Sequence, residues 1–198
     1  RMMFRIKSSG GHVMNPAGGV NALRVVQAVQ NRLDTFLARN MQPTEPATLE
    51  PVICNSGKGS NVMPAEAELW YGFRTLLPRD QHIAVSQKVA AEVKAVVESL
   101  GAELTEVKLI YGHPALINDP REYIRVELLL HGASQDTAVE PPLLGGEDFA
   151  HYLYRVPGTA WMLGAAQPGC GGHHSPTFNP DESVFWKGVL FWILLATN

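Results

Sequence analysis

Cysteine is scarce in this 198-residue chain, which holds only Cys54 and Cys170. Two thiols cannot make a disulfide framework, so free cysteines in a reducing, cytoplasmic setting are expected. Charge is thin as well. Lys and Arg total 16 against 19 Asp and Glu, a net charge of −3 with no basic run, which excludes a nucleic-acid partner and a charged membrane surface. The strongest apolar stretch, 184–196, is broken by Lys187 and Gly188. It falls short of the ~20 residues a membrane span needs and reads as a core helix. Gly57-Lys58-Gly59-Ser60 is not a phosphate loop, because the upstream glycine is missing and glycine follows the lysine. No Gly-x-Ser-x-Gly elbow occurs either, so nucleotide-binding and serine-hydrolase readings are weak.

What is present describes a folded protein, with 45% hydrophobic and 18% charged residues. Residues 3–7 alternate like a half-buried strand, and a Gly-rich loop follows. From Val20, Ala22, Leu23, Val26, Val29, Leu33, Phe36 and Leu37 fall at three- and four-residue spacing, predicting a helix to about Asn40. Strands are expected over 47–54 and 65–75, with Ala67, Leu69, Tyr71 and Phe73 on one face of the latter. Asp80 is a plausible N-cap for a helix reaching Leu100, with Gly101 as its stop, and 103–111 reads as a strand. The order β-α-β-β-α-β is that of a ferredoxin-like domain, whose edge strands commonly dimerise. Beyond Pro114 the expected elements are a helix from Asn118-Asp119-Pro120 to about Leu130, a short strand at 161–163 and a final helix over 181–196. A boundary near 111–116 gives two domains, 1–113 and 114–198.

Chemistry-bearing residues collect in Gly-rich loops. Gly172-His173-His174-Ser175-Pro176 suits a zinc ligand, and Cys170 upstream adds a soft donor; alternatively one histidine caps the next helix and Cys170 is incidental. In Gly145-Gly146-Glu147-Asp148-Phe149, two glycines expose Glu147 as a general base or as a partner for a ligating histidine, while Asp148 could cap a helix. His12, behind Gly10-Gly11, either donates to a substrate oxygen or is an ordinary loop residue. Asn61 and Arg74 could hold a carboxylate, although the pattern alone favours a surface pairing of Arg74 with Glu66 or Glu68.

In this order, several clusters resemble the M20 metallopeptidase and amidohydrolase family, in particular its aminoacylase, hippurate hydrolase and auxin-conjugate hydrolase branch. They are Gly10-Gly11-His12 with Pro16, Gly59-Ser60-Asn61-Val62-Met63-Pro64, Gly72-Phe73-Arg74-Thr75, Asn118-Asp119-Pro120, Gly145 to Ala150, Val156-Pro157-Gly158, Leu163-Gly164 and His174-Ser175-Pro176 with Asp181-Glu182. The resemblance implies an α/β (α+β) protein: a ferredoxin-like βαββαβ lid and dimerisation domain, then a partial α/β zinc-peptidase-like catalytic domain. It further implies a homodimer formed through the lid, a dinuclear divalent-metal centre (zinc, with manganese and cobalt as alternatives) and hydrolysis of N-acyl amino acids or small peptides.

By position, His174 matches the C-terminal metal ligand, and His12 the lid histidine that reaches the partner's active site and steadies the tetrahedral intermediate. Asn61 and Arg74 match substrate-facing lid positions, with Arg74 gripping a carboxylate. Glu147 remains a candidate catalytic residue. The sequence departs from the family in lacking its His-x-Asp, Cys-x-His and adjacent Glu-Glu elements. A fragment inactive on its own is therefore expected, opening at Arg1 inside a strand. A non-catalytic dimerisation module and a small Cys/His metal-binding protein are the alternatives.

Overall fold

Alternation builds the first strand, β1 (Met2–Lys7): Met2, Phe4 and Ile6 are buried to 1% or less on one face, and Arg5 and Lys7 are exposed on the other. The computed structural model describes residues 1–198, in two units: Arg1–Leu116 with Pro142–Asp148, and Ile117–Pro141 with Phe149–Asn198.

In the first unit β1 is followed by β2 (Gly11–His12), α1 (Ala22–Leu33), α2 (Phe36–Asn40), β3 (Ala47–Ser56), β4 (Val62–Met63), β5 (Glu66–Thr75), α3 (Arg79–Ser99) and β6 (Glu103–Leu109). The four long strands form one antiparallel sheet, ordered β3-β5-β1-β6, the ferredoxin-like arrangement. Helices α1 and α3 supply Val25, Val29, Val89, Val93 and Val97 to the core with Phe4, Leu69, Tyr71 and Phe73 from the strands. Each large side chain fully buried there contributes about 1.5–3 kcal/mol. On the open face Arg5 ties three strands together, donating to Glu68 of β5 at 3.0 Å and to Glu106 of β6 at 2.7 Å.

Several local expectations are corrected. The helix foreseen from Val20 to Asn40 stops at Leu33, and Asp34 and Thr35, both weak helix formers, separate it from α2. On α1 Val25 faces inward at 1% exposure and Leu23 faces out at 43%. Pro78, not Asp80, occupies the N-cap of α3, and Asp80 sits in the first turn, where a negative charge suits the helix dipole. The ribbon of β2 and β4, each two residues long, is too short for a periodic signal.

In the second unit α4 (Pro120–Gly132) starts as expected: Asp119 caps it, accepting from the N–H of Arg121 and Glu122. After α5 (Ala150–Leu153), the strand foreseen at 161–163 is not formed. Extended backbone becomes a strand only beside a partner, and this stretch is held instead by Asn118, whose amide accepts from Ala160 N–H at 2.9 Å and donates to its carbonyl at 3.3 Å. Trp161 stacks on Tyr123 at 5.0 Å, and its indole nitrogen and the Thr159 hydroxyl are buried without a partner. A 3-10 turn at Glu182–Val184 leads into α6 (Phe185–Thr197), where Trp186, Val189, Trp192 and Ile193 are exposed. No helix is long and apolar enough to cross a membrane.

Candidate functional site

Positive φ values at Gly10 (62°) and Gly11 (148°) turn the chain out of β1 in a way L side chains rarely allow. The turn is tied down by Gly10 N–H to the Val20 carbonyl (2.9 Å) and by Val20 N–H to the Ser9 hydroxyl (2.7 Å). It delivers His12 to a two-stranded ribbon, where Gly11 faces Met63 and His12 faces Val62. Val13 N–H extends the ribbon by donating to the Asn61 carbonyl at 3.2 Å. The ribbon therefore brings His12 and Asn61 together although 49 positions separate them in sequence, and both side chains are exposed. Three successive amides secure the His12 turn. Val13 donates to Asn61, Met14 donates to His12 Nδ1 at 3.1 Å, and Asn15 donates to the His12 carbonyl at 3.0 Å.

Arg74 lies at the far end of β5. Its neighbours Phe73 and Thr75 hold His82 of α3, the ring of Phe73 stacking at 4.8 Å and the Thr75 hydroxyl standing 3.3 Å from Nδ1. Tyr111 meets the same imidazole edge-on at 6.1 Å. Burial, then the Arg1 ammonium and the Arg79 guanidinium, hold His82 below the ordinary histidine pKa. The Gly145-Gly146 backbone passes over this corner: a Cβ at Gly146 would lie 3.2 Å from Arg74 Nη1 and 3.6 Å from the His113 ring. The segment carrying Glu147 and Asp148 thus belongs with Arg74 in the first unit. The approach of His113 and Gly146, 33 positions apart, to Arg74 is not legible in the sequence, because no spacing rule links them.

Pairing of Arg74 with Glu66 or Glu68 is not formed. Residues eight and six apart on an extended strand are separated by about 26 and 20 Å, and Glu68 instead accepts from Arg5 and from the Trp70 indole. The same geometry places the His12–Asn61 ribbon and Arg74 at opposite ends of β5.

In the second unit His174 takes a left-handed backbone (φ 63°) in a turn closed by Gly171 N–H to the Thr177 carbonyl and Ser175 N–H to that of Gly172. His173 packs edge-on against Phe178. Cys170 is engaged locally: its thiol donates to the Gly171 carbonyl, and its sulfur accepts the Asn179 N–H. Asp148 does not cap α5, whose N-cap is Phe149 without a side-chain bond. No three His, Cys, Asp or Glu side chains converge as a metal-holding group. The residues present therefore do not fit a dinuclear centre by themselves, and no metal-dependent step is assigned to them. A groove of about 970 Å³ lies elsewhere, on the open sheet face beside Arg5, Lys7, Cys54 and Lys58, and none of the candidate residues lines it.

Comparison with known proteins agrees with this architecture. The family model of the M20 peptidase dimerisation domain matches residues 1–100. Thermostable carboxypeptidase 1 of Saccharolobus solfataricus is 30% identical over 98% of this chain and 49% of its own length. N-acetyl-L-cysteine deacetylase of Bacillus subtilis is 29% identical over 96% of this chain and 45% of its own. Among solved structures, a dinuclear metal binding peptidase of the M20 family from Bacillus subtilis superposes with a TM-score of 0.77 at 20% identity, covering 98% of this chain and 48% of that one. Aminopeptidase PepT of Bacillus cereus gives 0.73 at 15% identity, over 98% and 50%. At such identities the structural likeness concerns the fold. The chain spans about half the length of the curated relatives it matches.

Proposed function

The chain belongs to the M20 peptidase family, and from that membership we propose that it is the lid and part of the catalytic domain of a metal-dependent amidohydrolase acting on N-acyl amino acids or small peptides. In this reading residues 1–113 are the lid and 114–198 the catalytic portion. The relatives named above, a carboxypeptidase and a deacetylase of an N-acyl amino acid, support that substrate class. A dinuclear metal peptidase among the structural neighbours supports a divalent ion, with zinc the first choice and manganese or cobalt next. Of the ligands such a centre needs, this chain would contribute His174; Glu147 is the candidate acid-base group. The remaining ligands would come from the complementary half, and the isolated chain would be inactive. The exposed apolar face of α6, with Trp186, Val189, Trp192 and Ile193, supports a surface meant to be covered. Two free cysteines, Cys54 exposed, suit a cytoplasmic setting.

One observation carries the division of labour: His12 with Asn61 and Arg74 sit at opposite ends of a strand about 30 Å long, too far apart to grip one small substrate. Arg74 would hold the substrate carboxylate through its two-pronged guanidinium, and His12 and Asn61 of a second copy would stabilise the oxyanion. Homodimerisation through the lid satisfies that geometry. Strand β3 offers an open edge, with a bulge between Pro51 and Ile53 and with Val52 and Ile53 exposed at 58% and 44%.

The test is to add the N-terminal half of a relative in trans with divalent metal and follow release of free amino acid from N-acetyl amino acids. Turnover in the mixture, absent from either part alone, supports the reading. A well-folded dimeric complex that stays silent favours the non-catalytic dimerisation module. A chain that sediments as a monomer at high concentration removes the shared-site arrangement.

A further inference from the structure

The contact between Met14 and His12 fixes more than a loop. An imidazole nitrogen that accepts a hydrogen bond presents a lone pair, so in the neutral ring the proton resides on the other nitrogen. His12 Nδ1 accepts the Met14 N–H at 3.1 Å. Met14 N–H donates to no backbone carbonyl, whereas the amides on either side do, Val13 to that of Asn61 and Asn15 to that of His12. The reverse arrangement, Nδ1–H donating to a carbonyl, would leave Nε2 with a lone pair, as a general base or metal ligand requires.

We propose that the Met14 backbone N–H is a positioning group that locks His12 in the Nε2–H tautomer, so that its free ring nitrogen is a hydrogen-bond donor toward an oxygen anion and neither a base nor a metal ligand. The consequence for the site rests on the functional reading above; the tautomer itself does not. A donor at Nε2 selects for developing negative charge on oxygen, the species formed when a carbonyl is attacked. Val62 lies opposite His12 in the ribbon, and Val13, Met14 and Val62 are exposed at 50%, 83% and 52%, so covering the ribbon would bury apolar side chains along with the imidazole.

The experiment uses the chain as it stands, uniformly 15N-labelled, at mildly alkaline pH. Long-range 15N–1H correlation, with His12→Gln to assign the ring, should give a pyrrole-type Nε2 and a pyridine-type Nδ1. A scalar coupling transmitted through the hydrogen bond should connect the Met14 amide nitrogen with His12 Nδ1. Met14→Ala keeps the N–H and should leave both signals unchanged, whereas Met14→Pro deletes the donor and should return the ring to the averaged shifts of free histidine. An Nδ1–H tautomer, averaged shifts or no coupling in the unsubstituted chain would overturn the proposal. Those signals decide it even if the proline variant fails to fold. Because no turnover is measured, failure of the hydrolase reading leaves this result standing, and the reverse also holds.

Discussion

Gly146 presses against Arg74 so closely that a methyl group there would lie 3.2 Å from an Arg74 Nη1. Glycine at 146 thus sets where the guanidinium can sit. Gly146→Ala should displace the Arg74 side chain by a few tenths of an ångström while costing under about 1 kcal/mol of stability, as for an exposed site. NMR should show the Arg74 side-chain Nε–H resonance moving while core amides stay in place.

Gly19→Ala should be far more damaging, although its backbone is extended (φ −170°) and carries no strain. A Cβ at that position would run into the Gly10 carbonyl oxygen, which belongs to rigid backbone. The expected loss is about 1–3 kcal/mol, the range for overpacking, with the ribbon bearing His12 forced to move. Urea titration should resolve it, and Gly59→Ala, where only ordinary contacts await, should be close to neutral.

Tyr71 is 1% exposed and its hydroxyl has no hydrogen-bond partner, so the core holds a desolvated polar atom. Tyr71→Phe removes it and should be neutral or stabilising by up to ~1 kcal/mol. Burial also pushes the phenol well above its ordinary pKa, with Asp34 and Glu50 adding to the effect. The unfolded chain then releases this proton near pH ~10 while the folded chain keeps it, and stability falls as pH rises beyond that point. The phenylalanine variant should lose that part of the alkaline decline in denaturation curves taken across the range.

His82 acts at the other end of the scale. Its folded pKa is lowered, so between the unfolded value of ~6.5 and the folded value the unfolded chain binds more protons. Stability contributed by the neutral ring is present above ~6.5 and is lost as pH falls through that window. His82→Gln should flatten the decline between neutral and mildly acid pH, and the Phe73 and Tyr111 environments should report the change by near-ultraviolet dichroism.

The ferredoxin-like core was legible because period-two and period-3.6 patterns survive wherever one face is buried, as in Ala67, Leu69, Tyr71 and Phe73 on β5. The break between α1 and α2 was not, since Phe36 continues the apolar spacing while Asp34 and Thr35 bend the chain. Residues 161–163 carry strand-like composition, but a ladder is a property of two segments and one segment cannot declare it. Of the candidate site, the residue types were readable in the Gly-rich loops. Their grouping was not: the nearness of His12 to Asn61, and of Gly146 to Arg74, arises from pairing and packing between distant stretches.

Asn118 has a chemical uniqueness that follows from its two bonds to Ala160. A carboxamide offers a donor and an acceptor side by side, the same face a neighbouring peptide group would present. Aspartate has the same outline but would set a second acceptor against the Ala160 carbonyl, and leucine would offer neither. Asn118→Asp should therefore loosen residues 158–161 despite its near-identical shape, visible as faster amide exchange at Ala160. The side chain at 118 works as a one-residue strand, and only an amide can play that part.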